Sequence, residues 1–430
     1  MNVEIAKHSR RAFLGAAGLM IVKPQLVRGS DANSAIRIGL LGCGGRGSED
    51  AKSMVENAGG RVVALADLFS DQLEKGKARF NDLAAKHGHS AIDASQLFLG
   101  PHSFEQIAAS KEVDAVVIAT PPYFHPQHLA AVVEAGKHAY CEKPVAVDVA
   151  GTQRVLEIGR KAEGRVSLNV GLQIRYAPPF VELVKRIHTG ALGEIAFGEA
   201  HYFCPFLGKG LTGTPTPEER LRNWLYDRVL SGDILVEQNI HAIDICNWVL
   251  QSHPVKAVGS GGRKGRSESG SALGHCAVTF WYPDDVHVSF SSKQFGSGGG
   301  FDVNENFFGT RGTSQSPYSG VLGIKGEEAW TWKDEKSGGE HPQAEFSSSG
   351  VFTDNLAQAD AEKHKSFLQS IQSGTFQNQA ALGVEASLSA MLGRAAVYAG
   401  HEVTWDQLVK SNESWDAGVD LNKLAVRRLA

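Results

Sequence analysis

Three things are scarce in this chain of 430 residues: paired cysteines, long apolar runs, and charge of one sign. The five cysteines, Cys43, Cys141, Cys204, Cys246 and Cys276, stand singly, without the spacing that zinc sites or redox dithiols need. So sparse and odd a set argues against a disulfide scaffold and predicts burial as small hydrophobes. The 43 basic and 47 acidic residues leave a formal charge of −4. That balance implies no nucleic-acid or polyanion partner, and points to a small ligand. The apolar stretch from Ala12 to Val22 is about half of the ~20 residues that cross a bilayer, and Lys23-Pro24 stops it. No stable membrane anchor is expected.

Just ahead of that stretch stands an arginine pair. In "HSRRAFLGAAGLMIV", Arg10 and Arg11 followed by Phe13 and Leu14 resemble the twin-arginine signal with which bacteria export folded proteins. The resemblance implies a periplasmic protein, so residues 1–34 are set aside as a signal segment. From Ile36 onward, "IRIGLLG", "RVVALAD", "DAVVIAT", "KHAYCEKP" and "RVSLNVGLQIR" alternate with helical periods. Continuous Val/Ile/Leu runs mark strands buried on both faces, hence a doubly wound α/β parallel sheet over residues 35–175. The double proline of "YAPPFVELVKRIHTGALGEI" then opens a different unit. Two-period strands such as "AVTFWYPDDVHVSFSSKQF" predict an α+β domain over 176–430 with a large, mostly antiparallel open sheet. In the same region "EKHKSFLQSIQSG" and "VEASLSAMLGRAAVYAG" read as helices closed by glycine, and "HEVTWDQL" as a short strand and turn. The open face of the second sheet suggests a homo-oligomer, dimer or tetramer.

Gly42-Cys43-Gly44-Gly45-Arg46-Gly47 follows the first strand and opens a helix, the setting of a Rossmann dinucleotide fingerprint. The first glycine (Gly42) permits the turn, Gly44 lets pyrophosphate approach the backbone, and Gly47 permits close helix packing; Gly45 and Arg46 complete the loop. Asp67 ends the second strand, twenty residues past Gly47. A carboxylate there accepts from ribose hydroxyls and repels a 2′-phosphate, so NAD is expected, with NADP possible through Arg46.

"AGKHAYCEKPVA", with "ATPPYFHPQHLAAVVEAGKH" before it and "SGDILVEQNIHAID" after it, resembles the Gfo/Idh/MocA oxidoreductases. The likeness extends to "FGTRGT" and "HKSFLQSIQSG". It implies that Lys143, at the carboxyl end of a strand, holds the reacting oxygen near nicotinamide, with Glu142 beside it at the cofactor. It implies that His241 takes the hydroxyl proton, a task suited to imidazole. Glu237 departs from the family pattern, which usually has aspartate four residues before this histidine. By the same resemblance Thr120, Pro121 and Pro122 form the loop under the nicotinamide, which His125 touches.

The residues themselves add further expectations. Glu237, His241, Asp244 and Trp248 recur at helical spacing, a polar stripe that needs a partner. Arg175 and Tyr202 are candidates to bind substrate hydroxyls, and Trp224 and Tyr226 to stack on a sugar face. No metal is expected, because His125 and His128 lack a third ligand. The expected substrate is a sugar, cyclitol or glycoside, and the expected activity is NAD(P)-dependent oxidoreduction at CH–OH groups. The alternatives are a redox-neutral glycosidase acting by transient oxidation and elimination, and a non-catalytic sugar-binding protein. An exported enzyme of this kind is expected to fold around its cofactor first and carry it across.

Overall fold

A computed structural model describes residues 35–207, 210–296, 301–333 and 350–424; the arginine pair and the rest of the signal segment lie outside them. Residues 36–430 form one compact unit. Its first layer is a six-stranded parallel sheet in the order β3-β2-β1-β4-β5-β6. The strands are β1 (Arg37–Leu41), β2 (Arg61–Asp67), β3 (Leu97–Leu99), β4 (Ala115–Ile118), β5 (His138–Cys141) and β6 (Leu168–Val170). Between them run α1 (Gly45–Ala58), α2 (Ser70–Lys86), α3 (Ser103–Ala109), α4 (His125–Glu134) and α5 (Val149–Ala162). All four residues of β4 are buried, as a strand covered on both faces requires. Leu40 pairs with Val117 across β1 and β4, so the two loops that follow these strands open at the same edge.

Two details depart from the sequence reading. β3 is an edge strand of three half-buried residues, too short to leave an apolar run. The "GLQIR" part of the expected last strand is instead a turn of 3₁₀ helix, Gln173–Tyr176, which takes Arg175 off the sheet.

The second layer follows α6 (Pro178–His188) and holds β7 (Ile195–Cys204), which is followed by α7 (Pro217–Arg222), α8 (Arg228–Ser231), α9 (Asp233–Glu237) and α10 (Ile240–Leu250). Then come β8 (Lys256–Gly262), β9 (His275–Trp281), β10 (His287–Gln294), β11 (Asp302–Gly309), β12 (Gly312–Gln315), β13 (Gly323–Gly326) and β14 (Trp330–Thr331). With the late strand β15 (Val403–Thr404) they make a nine-stranded sheet, ordered β14-β13-β12-β11-β7-β10-β9-β8-β15. It is antiparallel except where β7 and β10 run side by side, Ala200 against Phe290. Burial alternates along β10, the mark of a sheet covered on one face.

The end of the chain crosses back. α11 (Ala359–Gln372) packs on α1, and α12 (Ala380–Ala399) packs on α5 as well as on α10 and β8. The change of sheet near Arg175 therefore does not separate two independent halves. After β15 the chain forms α13 (Trp405–Ser411) rather than a turn, because Thr404 and Gln407 satisfy each other's backbone N–H groups in a capping box. All five cysteines are free and buried.

Candidate active site

β1 ends one residue before Gly42, whose φ of +97° favours glycine. A Cβ at Gly42 would lie 2.7 Å from the Ala119 carbonyl oxygen, and one at Gly47 would lie 2.3 Å from that of Gly42. Gly44 faces open space. Each glycine thus answers the need read from the fingerprint: a tight turn, a bare backbone for pyrophosphate, and a helix packed against its own loop. α1 starts at Gly45, so its first N–H groups open into a cleft of about 560 Å³ lined by Gly42, Gly44, Gly45, Asp67, Thr120 and Pro121.

Asp67 lies in that cleft, held by two backbone N–H groups: Oδ2 accepts from Cys43 at 2.8 Å and Oδ1 from Phe69 at 2.9 Å. Burial raises its pKa, and these hydrogen bonds oppose the rise. The second lone pair of each oxygen remains to take ribose hydroxyls. Arg46 does not serve as expected. Its guanidinium turns away from the ribose end into an ion-pair network, 2.7 Å from Asp360, 2.8 Å from Asp50 and 3.2 Å from Glu142. Every charge that would meet a 2′-phosphate from Arg46 is already engaged there.

The cleft continues past Ala119, Thr120 and Trp224 into a smaller cavity of about 140 Å³. Lys143, Glu237, Gln238, His241, Tyr202 and Phe352 are among its lining residues, as are Pro122, His125 and Glu142. Lys143 follows the end of β5 and Glu142, and its Nζ donates to the Glu237 carbonyl at 2.6 Å and to Glu237 Oε1 at 3.0 Å. Two of its three N–H groups are used; the third has no partner among the described residues. His241 sits in the first turn of α10, 7% exposed. Burial first, then the Lys143 ammonium, pushes its pKa well below the ordinary 6.5. No hydrogen bond ties its ring to another described residue.

The polar stripe is interrupted. Glu237 closes α9, Gln238 and Asn239 break the helix, and α10 begins again at Ile240. Glu237 accordingly reaches Lys143 instead of orienting His241. Arg175 is not at the cavity: its guanidinium grips Asp244 at 2.7 and 2.8 Å and lies 5.3 Å over the Trp248 ring. The 3₁₀ turn sets it further along α10, against Asp244 and Trp248 and outside the cavity lining, so it is withdrawn as a substrate ligand. Tyr202, 2% exposed on β7, stays at the cavity with the rings of Phe301 and Tyr318 edge-on. Trp224 lines both cavities, whereas Tyr226 is stacked on Phe206 in the interior.

His125 is a fastener. Its ring nitrogens face the carbonyls of Pro144 at 2.7 Å and Thr120 at 2.8 Å, joining the loop after β4 to the one after β5. His128 meets Thr120 Oγ1 at 2.9 Å and is pushed down to about 3 by burial. Sequence reading missed three residues on α11: Lys363, which reaches Asp50 and Glu142, His364, which reaches Asp50, and Asp360, which pairs with Arg46 and Lys363. A signal was present: Lys363 is four residues before the buried Phe367, on the inward stripe. Asp50, Asp360 and His364 have the donor types of a metal site, but Lys363 Nζ lies 2.9 Å from Asp360 and 3.6 Å from Asp50. An ammonium and a guanidinium already neutralise that group.

A glycine cradle at a sheet switch, continuous with a cavity where an ammonium and a neutral imidazole converge, defines a dinucleotide-dependent oxidoreductase. Two sequence models agree: the oxidoreductase family with NAD-binding Rossmann fold matches residues 36–170, and the GFO/IDH/MocA C-terminal domain matches 180–315. The chain belongs to the Gfo/Idh/MocA oxidoreductase family, and its cofactor is NAD. It is 26% identical over 308 residues to inositol 2-dehydrogenase of Acidothermus cellulolyticus, spanning 70% of this chain and 80% of that one. With inositol 2-dehydrogenase 4 of Saccharopolyspora erythraea it shares 32% over 164 residues, 38% of this chain and 44% of the relative. In fold it is similar to levoglucosan dehydrogenase in complex with NADH, with a TM-score of 0.67, 16% identity and coverage of 86% and 99% of the two chains. The fold is also similar to aldose-aldose oxidoreductase of Caulobacter crescentus complexed with glycerol, with a TM-score of 0.65, 17% identity and coverage of 86% and 99%.

Proposed function

We propose that the protein oxidises a secondary hydroxyl of a sugar or cyclitol, or reduces the matching carbonyl, with His241 as base and Lys143 as the charged donor to the reacting oxygen. The observation that carries this reading is that these two residues, from distant parts of the chain, line one cavity that opens onto the glycine cradle. Bound NAD supplies the hydride acceptor there. The hydroxyl proton passes to the imidazole of His241, which its surroundings keep neutral, as the C–H bond gives up its electron pair and the C=O bond forms. The free N–H of Lys143 stabilises negative charge on that oxygen, while Glu237 holds the ammonium in place. Trp224, Tyr202 and Phe352 give the cavity the aromatic walls that carbohydrate rings pack against.

Inositol and levoglucosan dehydrogenases among the similar proteins support the substrate class. The test is to incubate the protein with sugars, cyclitols and aryl glycosides while following NADH absorbance and released aglycone. Stable reduction of NAD by a sugar or cyclitol supports the proposal. Aglycone release without net reduction replaces it with the glycosidase, and absence of both overturns it. The Arg10-Arg11 pair supports export by the twin-arginine route with cofactor already bound, tested by whether an Arg10→Lys, Arg11→Lys precursor stays in the cytoplasm. The half-exposed Phe197, stacked on Phe308 at 4.5 Å, supports self-association through the second sheet.

A further inference from the structure

α11 brings into the interior a lysine that hydride transfer does not touch. Lys363 has a wholly buried side chain, with Nζ 2.9 Å from Asp360 Oδ1 and 3.6 Å from both Asp50 Oδ1 and Glu142 Oε1. Its ammonium lies 5.2 Å from the centre of the Tyr140 ring. A buried ammonium is retained only where partners offset its lost hydration; here the partners include the residue next to Lys143.

Glu142 is fixed from every side. Its Oε1 accepts from Tyr140 OH at 2.9 Å and from Arg46 Nε at 3.2 Å. Its carboxylate lies against Gly171, where a Cβ would come within 2.4 Å of Oε1. Its Oε2 accepts the backbone N–H of Lys143 at 3.1 Å. We propose that Lys363 is a positioning residue for the reaction: together with Arg46 it holds the Glu142 carboxylate ionised and in place, and that carboxylate sets the backbone from which the Lys143 ammonium is aimed. The inference rests on the function proposed above.

The charges agree. Burial alone would raise the pKa of Glu142, but Arg46, Lys363 and Lys143 together hold it well below the usual carboxylate range. The groups facing Lys363 are Arg46 and Asp50 on α1, Tyr140 and Glu142 at β5, and Asp360 and His364 on α11, with His241 across the cavity. With His364 neutral these are two cations against three carboxylates. Without Lys363 only Arg46 would face all three, so one carboxylate would take up a proton nearer neutral pH.

The test uses the full chain with NAD and whichever substrate the wild type accepts. Lys363→Met is expected to keep NAD affinity within about threefold and lose at least about tenfold in kcat, with KM less affected. Its acid limb should move up by at least about one pH unit, and Lys363→Arg should restore most of the rate and the limb. An unchanged profile in Lys363→Met, or a loss that Lys363→Arg does not rescue, overturns the inference. If Lys363→Met does not fold, Glu142→Gln probes the same link, and wild-type kcat in that variant overturns it. A wild type without hydride transfer on any substrate sinks the functional reading instead. Reductive methylation of Lys143 followed by mass spectrometry then remains a direct readout: a rate changed at least about threefold in Lys363→Met supports the link, and an unchanged rate refutes it.

Discussion

Replacing Lys143 with methionine separates the two things its ammonium does. In the folded protein it neutralises Glu237, and both side chains of that pair are only 13% exposed. Removing the cation strands a largely buried carboxylate, which costs about 3 kcal/mol of stability, the low end for breaking a buried pair because some exposure remains. In the reaction the third N–H meets a developing alkoxide, and loss of one such donor costs about 2.7–4 kcal/mol of transition-state stabilisation, a ~10²–10³-fold drop in kcat. The double variant Lys143→Met, Glu237→Gln removes the stranded charge as well. It is expected to regain stability to within about 1 kcal/mol of wild type while its turnover stays down. Urea denaturation reads the first quantity and steady-state NADH production the second. Turnover of Lys143→Met within about threefold of wild type, or recovery of turnover in the double variant, would refute the assignment of the third N–H to the substrate.

The remaining expectations concern the base, the cradle and the residue withdrawn from the site. His241→Asn should lower kcat ~10²–10⁴-fold. Because burial depresses the pKa of His241, the neutral base persists as pH falls through 6.5; kcat/KM for alcohol oxidation should therefore stay level there and decline only at lower pH, and a wild-type limb at or above 6.5 would contradict this. Gly47→Ala places a methyl 2.3 Å from the Gly42 carbonyl oxygen, so overpacking should cost about 1–3 kcal/mol and weaken NAD binding, read by denaturation and fluorescence titration. Arg175→Met should destabilise the fold by about 3 kcal/mol, since it strands Asp244, which is 3% exposed. Its KM and kcat should nonetheless stay near wild type, and a large rise in KM would return Arg175 to the substrate site.

The parallel sheet was legible because burial on both faces leaves uninterrupted Val/Ile/Leu runs, and the cradle because each glycine meets a different steric demand. β3 was not, since three half-buried edge residues carry no such run. The network around Lys363 was equally hidden. Beyond Asp360, three residues away, the carboxylates that make the burial of Lys363 tolerable, Asp50 and Glu142, lie on α1 and after β5, more than 200 positions away. No local pattern records a partner that distant.

The stripe from Glu237 to Trp248 was half legible, and the half that failed explains the half that held. Helical spacing treated its polar members as one face awaiting one partner. The break at Gln238 and Asn239 divides them. Glu237 is turned onto Lys143, while Asp244 and Trp248 are taken by Arg175. Folding thus engages three of the four from within the chain. His241 alone has no hydrogen-bonded, ion-paired or ring partner among the described residues, at the wall of a cavity where burial and the nearby Lys143 ammonium keep it neutral. Its ring lines the cavity rather than being sealed in the core, so a ligand seated there can supply the bond that the fold leaves unmade. The demand that the stripe posed as a whole therefore falls on a single imidazole, the position at which a hydroxyl must give up its proton.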